Sequence, residues 1–289
     1  MGTAFSPLDE ALGLLPGQWT PRLHEGLVLL STWMPFAAAV NTLATLLGVR
    51  ISQASAVRAT EAAGAAYVEL QSEEVARLER TAPPAPAGAE RMVMSADGAM
   101  VPLLHGEWGE VRTLAIGSVV APSATSSRRQ TQALSYFSRL ISAEAFTRQA
   151  LVETHRRGVE HARHVAAVMD GADWLQGLTD HHCPRAVRIL DFAHAAQRIA
   201  EIGQTLWGEK SGHATAWTTQ WTHRLKHEGP QPLLTELRQL RTLYPDNEPL
   251  RINSAYLAKR QAQLHYPEFI QQGWPIGSGI VESARAMQR

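Results

Sequence analysis

Three acidic residues sit where carboxylate oxygens can do metal chemistry. Asp97 belongs to an Asp-Gly pair inside an apolar run, Asp170 closes a second apolar run and is also followed by Gly, and Glu282 follows Pro275-Ile276-Gly277-Ser278-Gly279. Carboxylates from distant segments suit Mg²⁺ or Mn²⁺, hard cations that prefer oxygen. Two such ions about 3.5–4 Å apart clamp the attacking and leaving oxygens of a phosphodiester. They also offset the mutual repulsion that would otherwise push clustered carboxyl groups toward the neutral form. The bland alternative stays open: Asp-Gly is a common turn pair, and Glu282 would then be a solvated helix residue.

Positioning these groups requires a sheet. Met92–Leu104 and Val111–Val120 are rich in apolar and β-branched residues and read as strands, with a turn at Asp97-Gly98. His164–Met169 and Ala186–Leu190 read as two further strands, ending on Asp170 and Asp191. Ligands of open α/β sheets collect at strand carboxyl ends. Helical signals alternate with the strands: Ser142 and Glu144 open a pattern that reaches Arg157 before Gly158, and a short one surrounds Trp174–Leu178. From about 195 to 272 only helical spacing is found, in Ala195–Leu206, Leu233–Leu243 and Ser254–Leu264, so a helical block precedes the last segment. Pro275–Gly279 should start a final helix. There is no internal repeat.

Residues 1–80 read as a separate helical region, and Thr81–Glu90 (TAPPAPAGAE) as a linker, since its prolines cannot continue a helix. Phe36–Leu47 is an expected helix stopped by Gly48, and Ser52 caps another running to Ala63. The outline suits a DNA-binding helix-turn-helix with Arg50 and Arg58 as phosphate contacts; an ordinary helical hairpin is the alternative. Residues 26–49 carry no charge and are long enough to cross a bilayer, but Ser31, Thr32, Pro35, Asn41, Thr42 and Thr45 interrupt them, which favours a buried helical pair and no membrane.

Composition narrows the class. The 289 residues are 45% hydrophobic and 19% charged, ordinary for a globular protein. One cysteine, Cys183, excludes a disulfide framework, and Met1–Pro16 lacks the basic start of a signal peptide, so a cytoplasmic location is expected. The net charge is zero, but residues 1–100 hold 6 Lys/Arg against 10 Asp/Glu (net −4), leaving 21 against 17 (+4) for the rest. That asymmetry is weakly in favour of a nucleic-acid partner. Asp180-His181-His182-Cys183 spells a palmitoyltransferase signature and resembles half a zinc site, but the partner residues of both are missing, so a polar loop between helix and strand is expected.

Several blocks, in this order, resemble the ISKra family of bacterial insertion-sequence transposases: SADGAMVPL with GEWGEVRTLAIG (Ser95–Gly117), VMDGADW (Val168–Trp174), AVRILDFAHAAQRI (Ala186–Ile199) and GWPIGSGIVESA (Gly273–Ala284). PLDEALGL (Pro7–Leu14) adds to the likeness. The resemblance implies an RNase-H-like α/β core over 91–289 with a helical insertion. It implies a DDE site of Asp97, a second Asp and Glu282, two Mg²⁺ (or Mn²⁺) ions, and metal-dependent cleavage and strand transfer at transposon ends. Asp170 is preferred as the second acid, with Asp191 as its rival; Asp191 and His194 would then form the downstream Asp-x-x-His signature, in which His194 either supports the site or merely caps and packs. Partners implied are double-stranded DNA and further copies of the chain, in the nucleoid. Arg128, Arg129, Arg188 and Arg285 are candidate phosphate contacts, and Trp108 and Trp174 either stack on a base or belong to the core. Family members begin earlier and continue further past the glutamate, so truncation at both ends is expected. The alternative function is an inactive remnant that binds only DNA or a full-length partner, and a general RNase-H-like nuclease is a third.

Overall fold

The computed structural model describes residues 13–14, 19–103, 106–120 and 130–281. The chain divides into two compact units at Arg80/Thr81. The first contains α1 (Pro21–Trp33), α2 (Phe36–Leu47) and most of α3 (Gln53–Thr81). Thr20 caps α1, accepting from the Leu23 amide at 3.3 Å, and Gly48 ends α2 in the left-handed region at φ 68°. A small core of Leu27, Leu43 and Ala56 holds the three helices. The Ser52 hydroxyl accepts from the Ser55 amide at 3.0 Å, as the sequence suggests, but α3 runs past Ala63 to Thr81. Nothing in Ala62–Arg80 breaks a helix except Gly64, whose cost relative to alanine is only about 1 kcal/mol. Among the described residues no helix is long and apolar enough to cross a membrane.

The second unit is mixed α/β. Its strands are β1 (Arg91–Pro102), β2 (Trp108–Val120), β3 (Gln130–Arg139), β4 (His164–Met169) and β5 (Val187–Leu190), in the order β3-β2-β1-β4-β5. The β3-β2 and β2-β1 pairs are antiparallel, whereas β4 lies parallel to both β1 and β5. Met92 to Ala96 are all buried, the near-continuous apolar run of a strand covered on both faces. Short helices α4 (Ala143–Gln149), α5 (Leu151–Arg156) and α6 (Asp173–His182) cover one face, over Met92, Met94, Ala96, Ala167 and Met169. The other face carries Val93, Ala166, Val168 and Ile189 and is packed by the helical block: α7 (Phe192–Trp207), α8 (Gly212–Glu228), α9 (Pro230–Leu243), α10 (Glu248–Lys259) and α11 (Tyr266–Gln272). In α7 the buried Ala195, Ile199, Ile202 and Gly203 form one helical stripe.

Three expectations need correction. Asp97-Gly98 is not a turn: β1 passes straight through, with Asp97 opposite Thr113 and Gly98 opposite Arg112. Asp180–His182 form the last turn of α6 rather than a loop, and Cys183 caps it. Strand β3 has no counterpart in the sequence reading. The expected linker belongs to the second unit: the Pro83 carbonyl lies 3.2 Å from His155 Nε2, and a Cβ on Gly88 would stand 2.3 Å from the Gly158 carbonyl.

Candidate catalytic site

Strand register relates the acids. The β1-β4 ladder pairs Arg91 with His164 through Met94 with Ala167, and the same offset carried three residues further puts Asp97 beside Asp170. Alternation along the strands assigns the face: Val93 and then Asp97 on β1, and Ala166, Val168 and then Asp170 on β4, fall on the side of α7–α11. The ladder itself ends at Met94–Ala167, and Asp170 follows directly on the last residue of β4. The β4-β5 offset likewise takes Asp170 to Asp191.

Asp170 and Asp191 differ in what occupies their oxygens. Asp170 is half-buried and accepts one backbone bond, from the Ala172 amide at 2.7 Å. Asp191 is 1% exposed; one oxygen accepts from the amides of Ala193 at 2.6 Å and His194 at 3.3 Å, and the other from the Ser278 amide at 2.6 Å. It caps α7 and ties the Pro275–Gly279 segment down, a tie doubled by the Phe192 amide donating to the Ile276 carbonyl at 2.9 Å. Nearby, buried Tyr266 donates to the Leu190 carbonyl at 2.9 Å, and its hydroxyl is pushed well above its ordinary pKa by burial, then by the negative charge of Asp191.

The turn after Asp170 is gripped from the helical block. The Gly171 amide donates to the Tyr256 hydroxyl at 2.9 Å, and the Gly171 carbonyl accepts from the Arg260 guanidinium. Arg260 is 7% exposed and stacks 4.0 Å above the Tyr256 ring, with Arg198 over the same ring at 4.7 Å. A Cβ on Gly171 would fall 1.9 Å from Arg260 Nε, so this approach requires glycine. Asp173 closes the turn with Lys259 at 2.9 Å and Arg260 at 3.5 Å, and its carboxyl is held below the usual range by the Lys259 bond. Sequence reading missed Arg198, Tyr256, Lys259 and Arg260; nothing in their local spacing marks them.

Other candidates fall elsewhere. Glu282, Arg128, Arg129 and Arg285 lie outside the described residues, as does most of PLDEALGL. The segment leading to Glu282 is helical at 279–281, later than Pro275, and Val281 is fully buried. Arg188 pairs with Ala167, on the α6 face, where it bonds Asp180 and Gln176; it is turned away from Asp170. His194 contributes its backbone amide to the Asp191 cap, and its ring makes no hydrogen bond among the described residues. Trp174 is core, edge-on to Phe146 at 6.0 Å, but Trp108 is 63% exposed. Arg50 and Arg58 are exposed in the first unit.

Among the described residues no three His, Cys, Asp or Glu side chains group as a metal site. Asp191 is committed to three amides, while Asp97 accepts from the Gly98 amide and Asp170 from the Ala172 amide, each at 2.7 Å. Two orphaned polar atoms flank that pair: Ser95 Oγ, two residues before Asp97 on the same strand face, and Arg260 Nε beside Gly171, both buried without a hydrogen-bond partner. Compared with protein-family models and with curated proteins, the sequence has no match.

Proposed function

We propose that the chain is a DNA transposase whose second unit is an RNase-H-like core with Asp97, Asp170 and Glu282 as its acids. What supports this reading is the β1-β4 register, whose offset, extended three residues past its last pair, would set Asp97 beside Asp170 on one face. A five-stranded mixed sheet with helices on both faces is compatible with the α/β core that the ISKra resemblance implies. Two Mg²⁺ or Mn²⁺ ions, when bound, would supply activation of water and charge neutralisation at the phosphodiester. Asp170 is the second acid in this reading, because its carboxylate keeps oxygen capacity that Asp191 has spent on three amides. Arg260 and Tyr256 hold the Asp170 turn by its backbone, and Asp191 fixes the segment that leads into Glu282. The first unit, with Arg50 and Arg58, would add contacts to double-stranded DNA, and joining two transposon ends calls for at least two copies of the chain.

The test is nicking of supercoiled DNA that carries the element's terminal repeats, in Mg²⁺. Asp97→Asn, Asp170→Asn and Glu282→Gln should each abolish cleavage, a loss of 10³-fold or more being typical, roughly, of a removed charge-stabilising group. An unaltered chain that never nicks would sink the enzyme reading, and equal cutting of DNA without the repeats would make it a general nuclease.

A further inference from the structure

Between α9 and α10 lie two adjoining open clefts of about 250 and 420 Å³ that share the exposed Arg238 and Arg241. The smaller also includes Ser254, and the larger includes Tyr244, Asn247 and Arg251. The cations differ in their partners. Arg251 is held by Glu248 through bonds of 2.8 and 2.6 Å. Arg238 bonds only neutral groups, the Leu234 carbonyl at 3.2 Å and the Thr235 hydroxyl at 3.0 Å, and Arg241 makes no ion pair or hydrogen bond among the described residues. Two guanidinium groups one helical turn apart therefore face one cleft without a carboxylate; the turn joining the helices adds Asp246, which does not line either cavity.

Such a pair repels itself, and an anion between the two converts that repulsion into attraction. The guanidinium fork matches phosphate oxygens in pairs. Ser254 supplies an independent sign: it is 4% exposed, its Oγ has no hydrogen-bond partner, and it lines the cavity beside Arg238 and Arg241. A buried hydroxyl left unmatched is costly unless something fills it. Tyr244, 42% exposed at the outer rim, offers a ring against which a sugar or base can lie.

We propose that the α9–α10 cleft binds a phosphodiester of the DNA backbone, with Arg238 and Arg241 on its oxygens and the Ser254 hydroxyl donating to it. The anion site stands on this geometry, whereas DNA as its source rests on the function proposed above. Binding of a labelled duplex, followed by fluorescence anisotropy across a salt series, tests it. The duplex affinity should fall with salt by a log–log slope of about 0.9 for each phosphate contacted. Arg238→Gln with Arg241→Gln should flatten that slope by about one to two contacts and weaken binding roughly tenfold or more at low salt. Ser254→Ala should weaken binding several-fold while leaving Tm equal or higher, an outcome that a purely structural serine would not give. An unchanged slope and affinity in the double variant at unchanged Tm overturns the proposal. So does a result in which inorganic phosphate, at matched ionic strength, raises Tm only when both arginines are present but the duplex never competes, since the cleft would then serve a small phosphate. A chain that binds through these arginines yet never nicks leaves this site standing and removes the enzyme reading.

Discussion

Lowering the pH should unlock one identifiable side chain, His182, in the last turn of α6. Its Nε2 lies 2.7 Å from the Thr147 carbonyl and its Nδ1 3.1 Å from the Thr154 hydroxyl. A carbonyl only accepts, so Nε2 carries the hydrogen and Nδ1 accepts from Thr154, which satisfies both nitrogens of a neutral ring. Burial pulls the pKa from 6.5 down to about 4, opposed by the Thr147 bond and assisted by the neighbouring His181. Between these two values the unfolded chain binds a proton that the folded chain refuses. The stability from His182 is therefore fully present above pH 6.5 and is lost as pH falls toward about 4. At about 1.4 kcal/mol per pH unit, the whole contribution is about 3 kcal/mol. Urea unfolding of the unaltered protein and of His182→Gln, from about pH 7 to about pH 4, should give curves that converge by that amount. His155, Glu160 and His181 line the same cavity and are left unaltered in both proteins. Two curves that stay parallel throughout would refute the assignment.

Other perturbations separate structural from chemical roles. Asp191→Asn gives up charge-assisted bonds to three amides and turns an amide donor on one of them, so it should lose about 2–4 kcal/mol in urea unfolding, whereas Asp170→Asn should cost under about 1 kcal/mol. Gly88→Ala should destabilise by about 3 kcal/mol or more, because its Cβ meets backbone on every side, at 2.3 Å from the Gly158 carbonyl and 2.5 Å from the Ala162 amide nitrogen; a Tm within a degree or so of the unaltered protein would contradict the packing. Arg260→Met should cost about 2 kcal/mol and speed amide exchange at Gly171 and Ala172, and a normal exchange rate there would show that the grip is not Arg260's.

Much of the scaffold was legible because its signals are local. Apolar, β-branched runs marked β1, β2, β4 and β5, and Gly48 and Gly158 stop helices in the left-handed region, at φ 68° and 65°. Strand β3 escaped because QTQALSYFSR is an edge strand in which Phe137 alone is fully buried, so it lacks a hydrophobic run. Asp97-Gly98 looked like a turn because Asp-Gly usually is one; here both residues continue β1, opposite Thr113 and Arg112. The pairing of Asp97 with Asp170 depends on a parallel register that no single segment encodes. The grip of Arg260 on Gly171 spans 89 residues and has no local trace.

The two ends of the helical block meet at Asp191. Phe192 starts the block and bonds Ile276 beyond its end, and Asp191 bonds Ser278. Seen from the sheet, five helices amount to one very long loop whose ends are already pinned. Closing such a loop depends only logarithmically on its length, about 0.6 kcal/mol for each doubling. Extra residues in the turns between these helices should thus cost the strands little, provided the apolar cover over Val93, Ala166, Val168 and Ile189 is kept. A further tie is polar: Tyr256 and Arg260 reach back to Gly171, so a change that displaces α10 also lets go of the turn beside Asp170.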